Sequence, residues 1–121
     1  MGCLPLVAHC YTDIIERFGV QREAHEVGRI TLVATAAPVG VEALASLSEL
    51  ALAAVVASVR GDDSNPPTML RIGFLAAVEA WSGAIRATAH ARPCGRGWLL
   101  DCELRDEQGR LLSTAFAAAP E

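Results

Sequence analysis

The chain contains no lysine. Its ten basic side chains are all arginine, and against fourteen acidic residues they leave a net charge of −4. That deficit of positive charge argues against non-specific nucleic-acid binding, which needs a basic face to neutralise phosphates. The missing lysine itself reflects genome composition more than function. The four cysteines, Cys3, Cys10, Cys94 and Cys102, form no CxxC pair and have no His at zinc-finger spacing. Buried free thiols in a reducing compartment, and no metal site, are therefore expected. The opening MGCLPLVAHC lacks the basic and fully apolar regions of a signal peptide, and Leu6 stands where a myristoylation motif requires Ser or Thr. A cytoplasmic location is expected. With no internal repeat or low-complexity tract, residues 1–121 read as a single domain with one core.

What the chain has in excess is apolar residues, 52% of the total. So high a share predicts further apolar surface hidden in an oligomer interface. The richest stretch is GVEALASLSELALAAVVASV, Gly40 to Val59, which holds good helix formers with no internal Gly or Pro. Leu44, Leu47, Leu50, Ala51, Ala54, Val55 and Val59 form a helical stripe, and Ala and Val continue round the other faces. A helix apolar all round is buried on most sides. Its Ser and Glu residues argue against a membrane span, so a central helix over 40–59 is expected. Glu49 lies within it. A buried carboxylate is costly unless bonded, paired or protonated, and burial raises its pKa, which suits a general base.

Around this helix the pattern changes. Residues 1–18 hold a short amphipathic helix (Leu4 to Phe18), closed by Gly19 as a C-terminal cap. Val20 to Ala36 alternates, with a turn at Val27-Gly28-Arg29 and a β-branched strand at Ile30–Val33. Arg60 to Pro67, with Asp62-Asp63, is a polar loop. Residues 68–118 read as four antiparallel strands in a meander: Thr68–Val78, Gly83–Ala91, Trp98–Arg105 and Leu111–Ala118. Turns at Pro93–Gly97 and Asp106–Gly109 separate the last three. Helix, strand, long buried helix and four strands make an α+β layout.

Three pieces of the sequence carry a resemblance: ASLSELA (Ala45 to Ala51), PPTMLRIGFLAAVEAWSGAIRATAHA, and GRGWLLDCELRDEQGRLLSTAFA. Their order and spacing resemble hotdog-fold acyl-CoA thioesterases, in particular the phenylacetate-pathway and 4-hydroxybenzoyl-CoA branch. The resemblance implies a curved antiparallel sheet wrapped around one long central helix, and a homodimer or higher oligomer joined sheet edge to sheet edge. It implies that Glu49 serves as nucleophile or general base on a thioester of coenzyme A or of an acyl-carrier protein. The amides of Val41 and Glu42 would polarise the carbonyl, as helix N-termini can. No cofactor is implied beyond the coenzyme A of the substrate, and no membrane partner.

The chain departs from that family at defined places. Gly40-Val41-Glu42 occupies the position of a His-Gly-Gly turn, no Asn or Gln lies between Gln21 and Asn65, and Ala53 stands where some members carry Thr or Ser. These departures favour an alternative: a hotdog protein without hydrolysis that binds an acyl or polyketide-like ligand or serves in an assembly. None of His9, His25 and His90 sits in a dehydratase context.

Other candidates are weighed against plainer roles. Glu49 could instead pair with a buried arginine, such as Arg71 or Arg86, or lie at a wet dimer seam. Glu42 in a first helical turn complements the macrodipole. Ser46 and Ser48 could bond Glu49 or a ligand, though mid-helix serines more often bond their own backbone. Arg92 and Arg96 could hold coenzyme A phosphates or form a solvated turn. Trp81 and Trp98 suit a core or an interface. The many strand alanines, Ala76, Ala77, Ala84, Ala87, Ala89, Ala91, Ala115, Ala117 and Ala118, either let the helix pack close or leave room for an acyl chain.

Overall fold

The computed structural model describes residues 8–36, 40–61, 67–75 and 83–120. Its elements are α1 (Ala8–Phe18), β1 (Val20–Glu26), β2 (Arg29–Ala34), α2 (Val41–Arg60), β3 (Thr68–Phe74), β4 (Ile85–Cys94), β5 (Gly97–Arg105) and β6 (Leu111–Pro120). Residues 1–7, Asp62, Asp63, the end of the expected strand at 76–78 and Trp81 lie outside the described residues.

The strands form one antiparallel sheet in the order β1-β2-β4-β5-β6-β3. Helix α2 lies along it and meets β2, β4, β5, β6 and β3. Five strands about 4.8 Å apart span roughly 19 Å, whereas a helix is only about 10 Å wide. The sheet wraps round it, and residues 50–57 of α2 are buried at every consecutive position. Twelve residues of α2 are buried. The helix is long and apolar enough to cross a membrane, but its apolar surface is spent against the sheet. Burial of each large side chain stabilises by about 1.5–3 kcal/mol.

The period-2 pattern falls as expected. Ile85, Ala87 and Ala89 of β4, and Leu100, Cys102 and Leu104 of β5, are buried beneath α2, while Arg86, Leu99, Glu103 and Arg105 face outward and are exposed. Ile14, Ile15 and Phe18 of α1 pack against the same core.

Two features of the expected layout are corrected. The segment before α2 is a hairpin rather than one strand: β1 pairs with β2 around Val27-Gly28. β1 buries only Val20, because an edge strand needs no apolar face, and so its pattern carries little strand signal. The four later strands are present, but they are no simple meander. β3 pairs with β6 at the far edge, and β4 pairs with β2. Each strand's own pattern gives its buried face, not its neighbours, so strand order is not written there.

Polar ties fix how α2 sits. Gly61, with φ 83°, takes the left-handed conformation that closes the helix, and its amide donates to Ala57 O at 2.8 Å. Ser58 Oγ accepts from the Gly28 amide at 3.0 Å, and Arg60 Nε donates to Pro120 O at 3.1 Å. The C-terminus of α2 therefore lies at the end of the sheet that carries the β1–β2 turn and the end of β6.

Candidate active site

The first half of α2 presents an open face. Val41, Glu42 and Glu49 are exposed, and Ala45 and Ser46 are half-buried between them. Helical spacing aligns Glu42, Ala45, Ser46 and Glu49 along one side. Gly40 is the N-cap, with φ 97° and ψ 161°, and has no side chain to occupy the first-turn donors. Among the described residues the amides of Val41, Glu42 and Ala43 make no hydrogen bond, and the first helical bond runs from Leu44 N to Gly40 O at 3.3 Å. Free N–H groups at the positive end of a helix suit an oxyanion or a polarised carbonyl.

Glu49 is where the sequence reading is corrected. It is exposed, on the solvent side of the helix, while its neighbours Ser48 and Leu50 are fully buried. Apolar neighbours in the sequence suggested burial, but the first half of α2 has an open side, and only residues 50–57 are buried all round. Nor, among the described residues, does Glu49 pair with an arginine. Arg86 is committed to Glu23, with Nε–Oε1 at 2.8 Å and Nη2–Oε2 at 2.7 Å. Arg71 is exposed on β3. Among the described residues Ser46 makes no bond to Glu49, and the Ser48 hydroxyl is buried without a partner.

The two turn arginines separate from this face. Ala91 N donates to Gly28 O at 2.9 Å, which sets the β4–β5 turn at the same end of the sheet as the C-terminus of α2. Val41 lies at the other end of a 20-residue helix, roughly 30 Å away at 1.5 Å per residue. Arg92 also has a partner, with Nη2 3.4 Å from Asp101 Oδ2; Asp101 Oδ1 lies 3.4 Å from His90 Nδ1. Arg96 instead borders an open groove of about 610 Å³ formed with Cys94, Trp98, Leu99, Ala118 and Pro120. One chain thus brings Val41, Glu42, Ser46 and Glu49 together and leaves Arg92 and Arg96 apart.

The sequence did not signal the groove, because it joins the start of β3, the β4–β5 turn and the end of β6. Nor did it signal the third free amide, at Ala43. Cys94 is exposed, contrary to the expected burial of the thiols, because it closes β4 at the edge of the core; Cys102 is buried. Burial pushes the Cys102 thiol far up, which leaves it unreactive. Among the described residues no three His, Cys, Asp or Glu side chains gather as a metal site.

No family profile matches the sequence, and no curated protein matches it significantly. Solved structures do. The chain superposes on the E. coli PaaI protein, from a phenylacetic acid degradation operon, with a TM-score of 0.73 at 16% identity, over 98% of this chain and 95% of that one. A phenylacetic acid degradation-related protein of Ralstonia eutropha gives 0.72 at 20% identity, over 90% and 89%. A hypothetical thioesterase of Streptococcus pneumoniae, crystallised with coenzyme A, gives 0.66 at 14% identity, over 93% and 98%. The fold is the hotdog fold. Within it, α2 is the central helix, and its open first half carries the carboxylate and free amides that the resemblance singled out.

Proposed function

We propose that this hotdog protein is a thioesterase that hydrolyses an acyl thioester of coenzyme A or of an acyl-carrier protein. The observation that carries the reading is one exposed helix face holding both groups that such hydrolysis needs. Glu49 is an exposed carboxylate with no ion-pair partner among the described residues, able to activate water or to attack the thioester carbonyl. About two turns earlier, the amides of Val41, Glu42 and Ala43 are free to stabilise the oxyanion as the thiolate leaves. Ser46, between them on the same face, is placed to orient the thioester. The structural neighbours named for thioesterases, one of them with coenzyme A, support the substrate class. The protein works in the cytoplasm, without a cofactor of its own.

The working unit is a homodimer joined through β3. Of the two sheet edges, β1 reads VQREAHE and is charged, whereas β3 is less charged and leads into the exposed Phe74 and Leu75. An uncharged open edge is a template for pairing. Arg96 reaches a site only if a second copy supplies it, where it meets the phosphates of coenzyme A; Arg92 is held by Asp101.

One observation favours a second reading, a binding or assembly protein without hydrolysis: the exposed carboxylate of Glu42 sits at the oxyanion turn itself. Release of free thiol from short, long and aromatic acyl-CoAs and acyl-carrier thioesters, by protein sized in solution, separates the two. Turnover by a dimer supports the thioesterase. A folded dimer that turns over none of them supports the binder.

A further inference from the structure

Two exposed apolar features lie at opposite ends of β3. At its start, Thr68 borders the open groove. Register puts Thr68 beside Ala118 and Ala118 beside Leu99. The three form one cross-strand row on the sheet face turned away from α2, with Trp98 and Pro120 at its side. Leu99 is 43% exposed there. At the other end, Phe74 pairs with the buried Ser113 and so lies on the helix side of the sheet. Leu75, next along, alternates to the outer face and is 60% exposed. From position 68 to position 75 is roughly 23 Å at 3.3 Å per residue, so Leu75 cannot reach the groove of its own chain.

A second copy changes this. A two-fold axis that pairs β3 with itself runs the two strands antiparallel and keeps their outer faces on the same side. Whatever its exact register, that pairing sets the end of one β3 against the start of the other. We infer that Leu75 of each copy enters the groove of the other, over Leu99 and Ala118, and that this reciprocal contact secures the dimer. The inference rests on the β3 dimer proposed above. Strand pairing alone falls short of a stable interface. An edge of seven residues is a strip roughly 23 Å by 10 Å, about 230 Å², against about 800 Å² per partner in a standard interface. Two apolar side chains in two apolar grooves add surface of the kind that is missing. The same pairing carries Arg96, at the rim of the groove, to the end of the second copy where α2 begins. It does so because Phe74 and Val41 lie at one end of the sheet, and Thr68, Pro120 and Arg60 at the other.

The test is the dimer dissociation constant from sedimentation equilibrium, for wild type, Leu75→Asp, Leu99→Lys and an equimolar mixture of the two variants. Both positions are exposed in the single chain, so each variant should fold, which circular dichroism checks. A charge pressed against an apolar surface is costly, and each homodimer carries the fault twice, so each variant alone should dissociate at least about a hundredfold more readily. In the mixture one contact joins the two new opposite charges and the other is that of wild type. A heterodimer within about tenfold of wild-type affinity is therefore expected. A wild-type dimer that Leu75→Asp leaves intact overturns the contact and spares the dimer, whereas a monomeric wild type overturns both. Two weakened variants that do not recover when mixed place Leu75 and Leu99 in separate contacts and overturn the inference too. None of these outcomes reads turnover, so the thioesterase reading is tested apart from it.

Discussion

Arg86 on β4 reaches across β2 to Glu23 on β1 and forms a two-pronged ion pair with it, at 2.7 and 2.8 Å. Glu23 stands at the register shift of β1, between Arg22 and Ala24, which aims it toward β4. The pair lies on the face of the sheet turned away from α2, so Arg86 is out of reach of Glu49. Both side chains are about half exposed, so the pair is worth at most about 1 kcal/mol. Glu23→Gln is expected to lower stability by no more than that and to leave thioester turnover unchanged. A large loss of turnover in Glu23→Gln would show that this tie on the outer face of the sheet shapes the site on α2.

Acid should weaken the fold in a defined way. The hydrogen bond from Arg86 holds Glu23 below its ordinary value. For Asp106, burial opposes ionisation, but hydrogen bonds from the Arg110 amide and guanidinium and from the Gln108 amide outweigh it and lower the pKa. A carboxylate with a lowered folded-state pKa binds fewer protons folded than unfolded, so its contribution is present above the ordinary carboxylate range and lost as pH falls through it. Urea midpoints should therefore drop below about pH 4.5, and less steeply for Asp106→Asn. Identical acid limbs in the two proteins would contradict the assignment.

Ser58 joins two layers through one hydroxyl, which donates to Val55 O at 2.6 Å and accepts from Gly28 N at 3.0 Å. Ser58→Ala strands the Gly28 amide, and a loss of about 1–2 kcal/mol in chemical denaturation is expected. An unchanged midpoint would show that water replaces the bond without cost.

The opposite sign is expected at Ser48 and Ser113, whose hydroxyls are buried without a partner. Removing an unsatisfied buried hydroxyl relieves its desolvation cost, and Ala is also the better helix former at position 48. Ser48→Ala should raise stability by about 1 kcal/mol. A loss instead would reveal a bound water or ligand on that hydroxyl.

The cysteines give an accessibility test. Cys94 is exposed and Cys102 buried, so a thiol reagent added to the native protein should lose one rapid equivalent in Cys94→Ser and none in Cys102→Ser. Rapid labelling of Cys102 would mean that the helix–sheet seam opens readily.

Much of the fold was legible because its buried parts have strong periods. The long run of helix formers without Gly or Pro gave α2 to within a residue at either end, and the alternation around Ala87 and Leu100 gave the central strands. Edge strand β1 was missed because its residues face water, and the place of β3 beside β6 depends on long-range pairing. At the site, Val41, Glu42, Ser46 and Glu49 share a face because they share a helix, which local spacing predicts. Burial of Glu49 and the nearness of Arg92 and Arg96 were misread. They depend on which side of α2 the sheet covers and on which end of the sheet a turn falls, and neither leaves a local trace.

The proposed hydrolysis rests on Glu49, and the most direct test is thiol release from acyl-CoA by wild type against Glu49→Gln. The substitution is isosteric at an exposed position, so the fold and the helix amides stay in place. The account predicts a fall in kcat of about 10²-fold or more, with no change in thermal midpoint. Equal kcat in the two proteins would contradict it and move the chemistry away from Glu49.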